Sequence, residues 1–195
     1  MPLNAEVLDE IHQLVRGGFE KRARIVEIVC EELYEPGELD DAEVESAIDE
    51  AFTVLEKEQA VWPTITDCDK LDQVFSALEQ LGIIALQNAG HTQSDGYEDV
   101  QAAYAESEAK SSIVGYCFYH GQDLDRVVRD GALFLAFGPI DPEKEESDGP
   151  RIGEAVVAEL ARAGLAVQWD GSCNSRILVM NIDWKRRRLG RRKIW

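Results

Sequence analysis

The chain has 195 residues, 45% of them apolar, enough for one ordinary domain with a small appendage. No apolar run approaches the roughly 20 residues that span a bilayer, so no membrane span is expected. The formal charge of −18 disfavours duplex nucleic acid as the main partner, because phosphates would be repelled.

The first 60 residues hold 17 acidic and 5 basic side chains and read as helices. Val7, Leu8, Ile11, Leu14 and Val15 fall at helical spacing, and Gly17-Gly18 ends that run. A second helix is predicted from about Phe19 to Tyr34, with Ile25, Val26, Ile28, Val29 and Leu33 as its apolar positions. Pro36-Gly37 closes it. Asp40 then stands three residues before Glu43, close to a capping-box pattern, and a third helix buries Val44, Ile48, Phe52 and Leu55 on one stripe. These helices predict a small bundle or arm, joined by "VWPTITD" to the next unit.

From Asp67 the pattern changes. "DCDKLDQVFSALEQLG" is amphipathic, with Leu71, Val74, Phe75, Leu78 and Leu81 inward and Gly82 as its C-terminal cap. "IIALQ" reads as a short buried strand, "SDGYEDVQAAYAESEAK" as a polar helix, and "SIVGYCFYH" as a strand rich in β-branched and aromatic residues. "DLDRVVRD" is a short helix closed by Gly131, "ALFLAFG" a third strand, and "DPEKEESDGP" a charged, turn-rich loop. "RIGEAVVAELARAG" is a helix. "LAVQWDGSCNSRILVM" is a hairpin turning at Asp170-Gly171. The expected fold is α/β or α+β, a mixed sheet of about five strands with flanking helices, preceded by the small helical bundle or arm. If the crossovers are right-handed, the first three strands are parallel. The expected segments are an acidic helical part over 1–62, an α/β domain over 63–184 and a basic tail over 185–195.

Ligands of open α/β sheets sit outside the carboxyl ends of parallel strands. His91 follows the first strand and His120 the second. Around them stand Gln93, Ser94 and Asp95 in one loop, and Gln122 and Asp123 in the other, giving a candidate ligand-binding rim. Two functional chemistries are open. His91, His120, Asp95 and Asp123 could take a divalent metal such as zinc or iron, although no known ligand spacing is met. His120 could instead be a general base oriented by Asp95 or Asp123. The plainer alternative is that Asp123 or Gln122 caps the short helix, Asp95-Gly96 makes a turn, and His120 bonds a backbone carbonyl. No metal and no cofactor are assigned, and no catalytic residue is identified.

Other chemistry is missing. Ser111 and Ser112 lack a G-x-S-x-G elbow, and no phosphate loop occurs. Cys117 lies mid-strand and reads as an inert core thiol, whereas Cys173 lies near a turn. With Cys30 and Cys68 these make four cysteines and no C-x-x-C pair, so reduced thiols are expected rather than a disulfide frame. The start "MPLNAEVLDEIHQ" carries no charged-then-apolar signal region, and a cytoplasmic location is expected. The tail "DWKRRRLGRRKIW" has seven basic residues and, from Trp184 on, no acidic one. It reads either as a contact for nucleic acid or anionic lipid, with Trp184 and Trp195 flanking the basic run, or as a basic end lying against an acidic body.

The segments "GYCFYHGQDLDRVVRDGALFLAFG", "GLAVQWDG" and "NIDWKRR" resemble a bacterial family of uncharacterised proteins, over roughly residues 67 to 188. That family has no established activity, so the resemblance implies no function. It does imply cysteines in the loop after the first strand in many relatives. Here that loop is "NAGHTQSDG", with none, which weakens the metal reading.

Three functions follow from this. The first is a non-catalytic protein-interaction domain, immunity-like in the sense of neutralising a toxin, with a protein partner and foremost a basic one. The second is a small-molecule-binding domain or hydrolase-type enzyme on the His/Asp rim. The third is nucleic-acid binding through the tail alone.

Overall fold

The computed structural model describes residues 3–187. The chain divides into two compact units, Met1–Thr66 with Lys185–Trp195, and Asp67–Trp184.

The first unit is helical. Helix α1 (Ala5–Gly17) starts on Asn4, whose side chain accepts the Val7 N–H at 2.9 Å. It ends where Gly18 turns left-handed, at φ +82°. The predicted second helix divides into α2 (Arg22–Glu27) and a π-helical turn, Ile28–Leu33. Helix α3 (Asp41–Gln59) is capped by Asp40, whose carboxylate accepts the N–H groups of Ala42 and Glu43. Val7, Ile11, Val15, Ile25, Val29, Val44, Ile48 and Leu55 make its buried core. Leu33, expected inside, is 50% exposed: the π turn rotates the end of the helix away from the register that placed it inward. Two arginines at the chain's return close this unit. Arg186 lies 4.3 Å from the centre of the Phe19 ring, and Arg187 stands over Trp62 and donates to the carbonyls of Pro63 and Thr64.

The second unit is a five-stranded mixed sheet with helices on it. Its elements are α4 (Asp67–Gln80), β1 (Ile83–Leu86), α5 (Gln93–Glu106), β2 (Gly115–Phe118), α6 (Gly121–Asp130), β3 (Leu133–Pro139), α7 (Glu145–Arg162), β4 (Ala166–Gln168) and β5 (Ile177–Met180). The strand order is β1-β2-β3-β5-β4. Strands β1 and β2 are parallel, paired from Ile83↔Gly115 to Leu86↔Phe118. Strand β3 runs antiparallel to β2, which corrects the expectation of three parallel strands. The connection, residues 119–132 with α6 inside it, is long enough for either direction, and the chain takes the return. The final hairpin is antiparallel as expected, with β5 inside and β4 at the edge.

Alternation along the strands sets two faces. Leu133, Leu135, Ile177 and Val179 are buried residues of the β3–β5 pair, and α7 and α4 supply Val156, Leu160, Leu71, Val74 and Leu78. On the other face Phe118 and Ala136, which are register partners, pack with Ala89 and Val100. Leu81, expected inward, is 50% exposed, because it lies just past the end of α4. The segment "DPEKEESDGP" is a second correction. A 3-10 turn, Pro142–Lys144, leads into α7, which begins at Glu145 and contains Pro150. Acidic residues in a first turn face the unpaired N–H groups and the positive end of the helix dipole, so the charge that suggested a loop favours a helix start. Trp184 is buried edge-on against Tyr119, 6.3 Å between ring centres, and is not available to stack on a base. The rest of the predicted tail contact, from Arg188 to Trp195, lies outside the described residues. Among the described residues no helix is long and apolar enough to cross a membrane.

Candidate functional site

The two loops that carry the predicted rim meet. Because β1 and β2 are parallel neighbours in register, their carboxyl ends lie side by side, and the chain keeps exchanging backbone bonds beyond them. Ala89 N–H donates to Tyr119 O at 2.9 Å, Gly121 N–H to Gly90 O at 3.0 Å, and Gln122 N–H to His91 O at 3.1 Å. Gly90 sits at φ +57°, and a Cβ there would come within 2.2 Å of the Asp95 Cβ, so only glycine fits this crossing. A Cβ on Gly121 would lie 3.1 Å from His91 Nδ1, which places the exposed His91 ring against the start of α6.

In the first loop the side chains are engaged in starting α5. Thr92 is the N-cap, and its hydroxyl accepts the Asp95 N–H at 3.4 Å. The Asp95 carboxylate in turn accepts the N–H groups of Thr92 (2.8 Å) and His91 (3.1 Å). The hydrogen bonds from Thr92, followed by those from His91, hold the Asp95 carboxyl below the usual carboxylate range. Gln93 Nε2 donates to the Tyr97 hydroxyl at 3.0 Å. Ser94 is exposed.

The second loop builds a charged cluster under the surface. His120 is the N-cap of α6, and Asp123 lies at its third position. Asp123 is completely buried. Its Oδ2 lies 3.0 Å from His120 Nε2 and also takes Arg176 from the start of β5, while Oδ1 accepts Arg126 Nη1 at 3.1 Å. Arg176 donates as well to the carbonyl of Phe134 at 2.8 Å. Both guanidinium groups lie over the Phe134 ring, 5.1 Å and 5.5 Å from its centre. Three elements, α6, β3 and β5, are thus pinned at one carboxylate. Burial pushes His120 below its ordinary 6.5, and Arg176 and Arg126 push the same way, outweighing the pull of Asp123 and of the His91 backbone. The Nε2 of the ring stands against the Asp123 carboxylate, and its Nδ1 is buried with no hydrogen-bond partner among the described residues. Gln122 is exposed.

The structure therefore brings all seven predicted residues to one end of the β1–β2 pair. It does not bring their acids together, since Asp95 faces its own loop backbone and Asp123 faces the arginines. Arg126, Arg176 and Phe134 are site residues that the sequence reading missed. Arg126 could have been found, because it stands three residues after Asp123 on a helix. Arg176 could not, being 53 residues away.

A family model described as a domain of unknown function (DUF6891) matches residues 2–188. The chain belongs to that family. The match starts at residue 2, so it takes in the N-terminal helices, which the resemblance over residues 67 to 188 had left outside. No curated protein matches the chain, and no solved structure does.

In this family member the chemistry left to the rim is limited. Among the described residues no group of three or more His, Cys, Asp or Glu side chains could hold a metal ion. A general base at His120 would act through Nδ1, which does not reach solvent. The exposed polar groups are His91, Ser94 and Gln122. The thiols are muted too: Cys117 is pushed up to about 12 by complete burial.

Proposed function

We propose that this family member is a non-catalytic protein-interaction domain whose helical unit takes a basic protein partner through its acidic side. The observation that carries this reading is the charge of residues 1–60, 17 acidic against 5 basic side chains, which reaches the buried Cys30 and the half-buried Tyr34. Burial first, then Asp41, Glu31 and Glu45, push the Cys30 thiol up to about 11. Burial, then Glu6, Glu10 and Glu38, raise the Tyr34 phenol. Carboxylates from α1, the π turn, the following loop and α3 thus act together on one part of the unit. No Lys or Arg occurs between Ile25 and Glu56, a stretch with twelve Asp and Glu residues. Arg22 and Arg24 neutralise part of it through Glu45, Asp49, Glu27 and Glu32. Glu31, Glu35, Glu38 and Asp41 remain exposed, with the exposed Leu33 among them in sequence as an apolar contact. A surface of one sign speeds and selects the encounter with an oppositely charged protein.

The test is reversal of that charge. Glu31, Glu35, Glu38 and Asp41 are replaced together by Lys, and proteins that co-purify with each form are compared by mass spectrometry at low and high salt. A basic partner should be recovered by the wild type at low salt only, since screening shortens to about 3 Å near 1 M, and should be lost in the variant. Recovery that charge reversal leaves unchanged would overturn the proposal.

The alternative of a small-molecule site or hydrolase on the rim has to work with His91, Ser94 and Gln122, because the carboxylates and His120 are already held. No observation favours it over the acidic surface.

A further inference from the structure

One face of the sheet is covered over only part of its width. Phe134, Leu178 and Gln168 are register partners across β3, β5 and β4, so their side chains share a face. Met180 and its partner Ala166 lie on the same face, two residues along. Phe118 and Ala136 belong to it too, and there Ala89 and Val100 pack over it. Over β5 and β4 the face is open. Leu178 and Met180 are half-buried and Ala166 and Gln168 exposed, whereas Ile177 and Val179, which point the other way, are completely buried.

Arg126 and Arg176 stand at the border of this open part, both over the Phe134 ring. Their side chains are 44% and 26% exposed. Among the described residues Asp123 is the only carboxylate that either one meets. Two guanidinium groups thus share one negative charge, and one positive charge is left over. Protonation of His120 would only add to it. The donors are in surplus as well. Asp123 takes Nη1 of Arg126, which leaves the Nε–Nη2 edge, a complete fork for a carboxylate, with no acceptor among the described residues. Arg176 uses Nη2 on Asp123 and on the Phe134 carbonyl, and its Nε has no partner. Asp123 and the Phe134 ring hold the Arg126 fork in place before any ligand arrives, which lowers the entropy cost of binding.

Charge and surface together select the ligand. A single surplus charge matches a monoanion, and a phosphate dianion would bring a second negative charge to a chain that already carries −18. What lies beside the fork is the surface of a sheet, with Leu178 and Met180 in it. Free small molecules are held in concave sites. An open apolar face bordered by arginine and phenylalanine suits another protein instead.

We infer that the Arg126 fork and the open face of Phe134, Leu178 and Met180 form a docking surface for a partner protein that presents an aspartate or glutamate carboxylate beside apolar side chains. The surface belongs to the α/β unit and does not depend on the basic partner of the helical unit. Charge reversal at Glu31, Glu35, Glu38 and Asp41 tests that partner, and substitution of Arg126 tests this one.

The Nε–H signals of Arg126 and Arg176 in NMR spectra of the full chain provide the readout, at fixed ionic strength. The probes are a blocked leucyl-glutamyl-leucine tripeptide, its glutaminyl counterpart, butyrate and inorganic phosphate. Saturable shifts in the millimolar range are expected with the glutamyl tripeptide and absent with the glutaminyl one. Arg126→Lys keeps the charge and removes the fork, and should bind the tripeptide about tenfold more weakly. Leu178→Thr keeps a strand-forming side chain and removes apolar contact, and should weaken binding roughly threefold. No saturation by the glutamyl tripeptide, equal response to the glutaminyl one, or unchanged affinity in Arg126→Lys would overturn the inference. Butyrate binding as tightly as the tripeptide would make a free acid the ligand, and phosphate binding more tightly would make it a simple anion site. Either result overturns the assignment to a protein.

Discussion

Asp123→Asn tests the role given to the buried cluster, because it removes the charge and keeps the shape. The carboxylate has no solvent contact and three donors around it. The three do not weigh equally. The Arg126 side chain is 44% exposed, so that pair is worth about 0–1 kcal/mol. The Arg176 side chain is 26% exposed and is also fixed by the Phe134 carbonyl, and His120 is 5% exposed. Removing one partner of a buried ion pair costs roughly 3–5 kcal/mol, because the other charge stays behind unpaired. Arg176 keeps some solvent, which places the expected loss near the lower end, about 3 kcal/mol. For a unit of this size that is a fall in Tm of roughly 10 °C. The assay is urea unfolding in a Trp62→Phe, Trp195→Phe background, where Trp169 and Trp184 report on the α/β unit. A double-mutant cycle with Arg176→Met should show coupling well above the roughly 0.5 kcal/mol seen between independent sites. A loss below about 1 kcal/mol, or additive single effects, would refute the view that this carboxylate pins α6, β3 and β5.

Two further outcomes follow from the same corner. His120 is held below its ordinary 6.5, so as pH falls the unfolded chain takes up the proton first. The stability this neutral ring supports is present above 6.5 and lost as pH falls through the folded value. Urea midpoints measured across that window should decline in the wild type and stay flatter in His120→Gln, and parallel slopes would count against the assignment. Thr92→Ala should cost about 1 kcal/mol by removing the cap of α5, and a neutral result in the same urea assay would show that Asp95 alone holds the turn.

Which of these features could be read from the sequence depended on the distance over which each one is encoded. Helix stripes, the Gly18 stop and the Asp40 cap need only residues within one or two turns, and the structure has the stop, the cap and the stripes of α1 and α3 there, with Phe52 half-buried. The carboxyl-end juxtaposition of the His91 and His120 loops was also legible, because two strands with a helical crossover between them predict a parallel pair. Strand β3 was not legible as antiparallel, since residues 119–132 are enough chain for either direction, and the pattern of "ALFLAFG" is buried in both. The start of α7 was hidden by Gly149-Pro150, which reads locally as a break. In the folded chain Pro150 stands early in the helix, where its missing N–H forfeits a single bond.

The site shows the same limit in a form that bears on function. From sequence, Asp123 and His120 resemble an acid–base pair, with a helix cap as the plainer alternative and Arg126 as a partner three residues on. What decides their role is Arg176, which β5 brings alongside after a hairpin. A carboxylate shared by two arginines is a fastening, whatever histidine stands next to it. The antiparallel register of β2 and β3 has a similar long-range effect: it sets Gly138 opposite Tyr116, and the phenol fills the room that the glycine leaves.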